Sequence, residues 1–102
     1  MDEKREKFLL ELCHEKISTG GMSGLEKFVE SYEGSLEDKK YLSKLIRILT
    51  IRNSCAATRT FFLTEYSSLK HIISDTYFAA NNISTDGGDY LKSKLEEFFY
   101  DF

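Results

Sequence analysis

Two histidines, two cysteines and a few clustered glycines are the residues through which this chain could do chemistry. His14 and His71 each lack a second ligand at metal-binding spacing, and the adjacent Cys13 and His14 make no zinc pattern. Both histidines read as surface or boundary residues rather than as catalytic bases. Arg52-Asn53 would open an RNA-cleaving Arg-Asn…His arrangement, but no histidine follows within the few residues required. "NISTDGGDYLKS", residues 82–93, imitates a calcium loop through Asp86 and Gly87. It fails at Ser93, where a bidentate glutamate is needed, and at Asp89, which occupies the apolar position. Gly20-Gly21 and Gly87-Gly88 have neither the preceding strand nor the lysine of a phosphate loop. With no paired carboxylates and no nucleophile beside a base, the expectation is a chain with no catalytic residues, no metal and no cofactor, hence not an enzyme.

What remains is surface, and the charges on it are segregated. Residues 1–38 carry ten acidic and five basic side chains. Residues 39–64 carry Lys39, Lys40, Lys44, Arg47, Arg52 and Arg59 with no acid, and residues 71–102 are acidic again with six acids and two bases. One reading is a phosphate-binding stripe for nucleic acid. The favoured reading is a basic central helix set among acidic neighbours, because two acidic flanks on so small a surface would repel a polyanion. The C-terminal "EEFFYDF" concentrates four aromatics in seven residues, a composition typical of interfaces. Docking of Phe98, Phe99 and Phe102 on the rest of the protein would explain the same residues, leaving Tyr100 and the acids outward.

These side chains must be positioned by helices. The chain has no proline, and no stretch alternates with the period of a strand. In residues 2–17, Phe8, Leu9, Leu12, Cys13 and Ile17 form one apolar face behind the N-terminal Asp2 and Glu3. "STGGMSG" ends that segment, and Ser23 with Glu26 reads as a capping box for Leu25, Phe28, Val29 and Tyr32. Ser35 opens a third segment in which Leu42, Leu45, Ile46 and Leu49 form one stripe and Tyr41, Ile48 and Cys55 a second, so this helix is contacted from several sides. Its pattern is compatible with continuation to Phe62 or with a break near Arg52-Asn53-Ser54.

"FFLTEY" then marks a bend, with Thr64 as N-cap and Glu65 in the first turn of a helix that buries Tyr66, Leu69, Ile72, Ile73 and Ala80. Asn81 and Asn82 end it. Asp86 caps a last amphipathic helix lined by Leu91, Leu95, Phe98, Phe99 and Phe102. The predicted architecture is all-α: one domain over residues 1–102, an antiparallel four-helix bundle with a short additional C-terminal helix. The opening "MDEKREKFLLELCHEK" contains no apolar run of signal-peptide type and no segment is apolar enough to span a membrane, so the expected location is the cytosol. There Cys13 and Cys55 would be reduced thiols packed as small hydrophobes, with a disulfide as the alternative.

Three stretches resemble one known family. "FLLELCHEKIS" at residues 8–18 is similar to the first helix of the class IIa (pediocin-like) bacteriocin immunity proteins, the enterocin A immunity group. "LIRILT…FFLTEYSSLKHII", between residues 45 and 73, is similar to the third helix, bend and fourth helix of the same group. The resemblance implies a non-enzymatic helical bundle that acts from the cytosolic side of the membrane. It would recognise a mannose phosphotransferase permease already bound by its bacteriocin, and specificity would lie in the C-terminal half. Carried onto this chain, that points to Tyr66, Lys70, Tyr90, Phe98, Phe99 and Tyr100, with residues 82–102 as the specificity region. The alternative is a small adaptor or inhibitor that binds another protein, such as a toxin.

Overall fold

A computed structural model describes residues 2–53, 66–82 and 86–100, excepting the side chains at positions 53, 86, 87, 99 and 100. The chain is all-α, as the periodicity predicts. Four helices and no strand occur among the described residues: α1 (Glu3–Ser31), α2 (Leu36–Asn53), α3 (Leu69–Asn82) and α4 (Asp86–Tyr100). They pack as two compact units, one containing residues 1–46 and 61–68, the other residues 47–60 and 69–102.

In the first unit, Asp2 caps α1 by accepting a hydrogen bond from the Arg5 backbone N–H at 2.7 Å. The two segments expected over residues 2–33 follow one another within α1 as two helical stretches joined by a kink at Gly21. There φ is 63° and ψ is −161°, a region open essentially to glycine alone. The first stretch thus ends within "STGGMSG", as expected, and a second helical stretch follows directly. Leu9, Leu10, Cys13 and Leu25 are buried on α1. Phe8, expected on this apolar face, is 47% exposed and lies under the Arg5 guanidinium, 5.0 Å from its ring centre. Leu10 is buried instead, so the inward face is rotated from the one expected. Burial pushes the Cys13 thiol up to about 12.

The start of α2 is fixed by charge. Ser35 accepts the Asp38 backbone N–H at 3.1 Å, the N-cap bond expected of it. The Asp38 carboxylate is almost wholly buried and accepts three side-chain hydrogen bonds. Arg5 donates through Nε at 3.2 Å and through Nη2, and the Tyr32 hydroxyl donates at 3.0 Å. The Tyr41 hydroxyl adds a 2.6 Å bond to Glu6, also between α2 and α1. Hydrogen bonds from Arg5 hold the Asp38 carboxyl below its ordinary value, and the same bonds raise the Arg5 guanidinium. On α2 itself, Tyr41, Leu42, Leu45, Ile48 and Leu49 of the two expected stripes are buried, while Ile46 is half-buried. The helix runs through Asn53; Cys55, Phe62 and Thr64 lie outside the described residues.

The fourth expected segment begins later than its sequence suggests. Tyr66, Ser67 and Ser68 are not helical, and α3 starts at Leu69 with Ser68, a favoured N-cap type, just before it.

Backbone geometry at the break gives a sharp contrast. Gly21→Ala forces a side chain into a glycine-only conformation and should destabilise by about 1–3 kcal/mol. Gly20→Ala, at a helical position with nothing within 4 Å of the added methyl, should be neutral or stabilising. Urea unfolding of the two variants measures the difference. Acid titration tests Asp38. Its depressed carboxyl stabilises the fold above the ordinary value of 3.8, and that contribution is lost as pH falls through the folded-state value. Asp38→Asn should lower stability at neutral pH and flatten the decline below pH 3.8, read as thermal midpoints across the range.

Candidate partner-binding surface

The second unit is built on α3 and α4, which pack against each other. Ile72, Thr76 and Ala80 recur every four residues on α3 and are completely buried. On α4, Leu91, Leu95 and Phe98 form the matching stripe, and Gly88 is buried one turn before them. Ala80 and Leu91 share a cluster with Ile51 from the end of α2. A buried threonine on such a stripe must satisfy its hydroxyl, and Thr76 donates to the Ile72 carbonyl at 2.8 Å.

The least expected core residue is Arg52. Its side chain is fully buried, with Nη2 3.1 Å from Oδ2 of Asp75, itself one-fifth exposed. Arg47, a turn earlier, places its guanidinium 5.8 Å from the centre of the Phe98 ring. Two cations of the basic central segment are thus engaged with α3 and α4, one with a carboxylate and one with an aromatic ring.

Inward packing sorts the sequence-derived candidates. Phe98 is 2% exposed and belongs to the buried stripe of α4. Tyr66, in the first unit, is 7% exposed and offers little of its ring to a partner. Lys70 and Tyr90 are exposed on α3 and α4 respectively. Because Ala80 and Leu91 share a cluster, Tyr90 belongs beside the end of α3, and Lys70 lies ten residues back along that helix, on the order of 15 Å away. Lys94 sits 5.7 Å from the Tyr90 ring centre and bridges to Glu97 at 3.3 Å. The side chains of Phe99 and Tyr100 lie outside those described.

Two residues that periodicity did not single out complete this surface. Tyr77 is 37% exposed and Phe78 67% exposed. Phe78 lies on the opposite side of α3 from Thr76 and Ala80. Its signal in the sequence is negative: a large aromatic at a position that the buried spacing of 72, 76 and 80 excludes. Outward aromatics on a well-packed helix pair can anchor a protein partner, since such side chains contribute disproportionately at interfaces.

Among the described residues, no group of three or more histidine, cysteine or acidic side chains could hold a metal ion. His71 is exposed, and His14 lies 3.4 Å from the Ser18 hydroxyl on the next turn of α1. No helix among the described residues is long and apolar enough to cross a membrane.

Asp75→Asn removes a counter-charge of the buried guanidinium and should destabilise the protein by up to about 3–5 kcal/mol. A double variant, Arg52→Met with Asp75→Leu, should recover part of that loss, because it removes both charges while keeping volume. Chemical denaturation of the single and double variants checks both outcomes. Compared with known proteins, the chain matches no family model, no curated protein and no solved structure.

Proposed function

We propose that this chain is a non-enzymatic immunity protein that protects a bacterium from a pediocin-like bacteriocin. It acts in the cytosol or at the inner face of the membrane, by binding the mannose phosphotransferase permease in its bacteriocin-bound form. The observation that carries a binding function is the set of outward aromatics Tyr77, Phe78 and Tyr90 on helices whose opposite faces are packed. The similarity of residues 8–18 and 45–73 to the enterocin A immunity group supplies the partner. On this reading Lys70 and Tyr90 contact the permease complex together with Tyr77 and Phe78, and the family resemblance adds Phe99 and Tyr100 as contacts. Phe98 acts indirectly, by fixing α4. The adaptor reading would use the same surface on a different protein, so the target and not the fold separates the two.

Expression in the cytosol of a sensitive strain should protect against one or a few pediocin-like bacteriocins and not against unrelated pore formers. Phe78→Ser, Tyr90→Ala and Tyr100→Ala should each weaken protection about tenfold, the effect of losing one interface anchor, without lowering the thermal midpoint. Phe98→Ala should reduce both protection and stability, the latter by about 3–5 kcal/mol. Equal killing of expressing and control cells across a broad panel of such bacteriocins would replace the immunity reading with the adaptor reading.

A further inference from the structure

We draw no further inference here: the strongest candidate, the outward aromatic side of α3 at Tyr77 and Phe78, belongs to the surface already described, and nothing in the structure shows what covers it.

Discussion

A guanidinium withdrawn completely from water must keep a counter-charge, and that requirement organises the second unit. Arg52 is supplied by α2 and Asp75 by α3, so the pair fixes the end of one helix against the middle of the other. With Asp75 held, Thr76 and the stripe it belongs to face inward, and Tyr77 and Phe78 follow on the remaining circumference. Apolar packing supplies most of the stabilisation, as it does in any helical assembly. Leucines slide past one another with little penalty, however, whereas a buried ion pair tolerates few alternative registers. The outward position of the aromatics therefore follows from an inward electrostatic constraint.

Asp38 has the same role in the first unit, with a different balance of solvent. Its carboxylate is buried while Arg5 remains substantially exposed, so this pair is open to screening on one side only. Both ends of α1 reach that carboxylate, through Arg5 in its first turn and Tyr32 at its C-cap, while the Ser35 hydroxyl accepts from the Asp38 backbone N–H. The turn between the helices is thereby held by its own polar groups. Each unit thus buries one partner of an ion pair and leaves the other partly in water: the acid is buried in the first unit and the base in the second.

Much of the helical layout could be read directly from residue spacing. Leu42, Leu45, Ile48 and Leu49 lie where their period puts them, as do Leu91, Leu95 and Phe98, because large aliphatic and aromatic groups at helical spacing have few other places to go. Reading failed where a polar residue substituted for an apolar one or the reverse. Arg52, Asp38 and Thr76 are buried through partners that lie far along the chain or in their own backbone, and hydropathy assigns all three to the surface. Phe8 errs in the other direction: its neighbour Leu10 takes the inward place and an arginine covers the ring. α3 starts later than its sequence suggests because Thr-Glu and Ser-Ser both carry capping chemistry, and composition does not rank two nearby caps. For the candidate surface, Lys70 and Tyr90 come from the family resemblance and both prove exposed, whereas Tyr77 and Phe78 become visible only once the inward stripe of α3 is fixed.

The completely buried Cys13 has a consequence for how this protein meets oxidants and alkylating reagents. Thiol chemistry proceeds through the thiolate, which burial here disfavours strongly, and no reagent reaches the sulfur while α1 is closed. Modification of that residue must therefore wait for an opening of the surrounding structure. Its rate reports how often the first unit opens, so a native side chain serves as a built-in clock of conformational excursions.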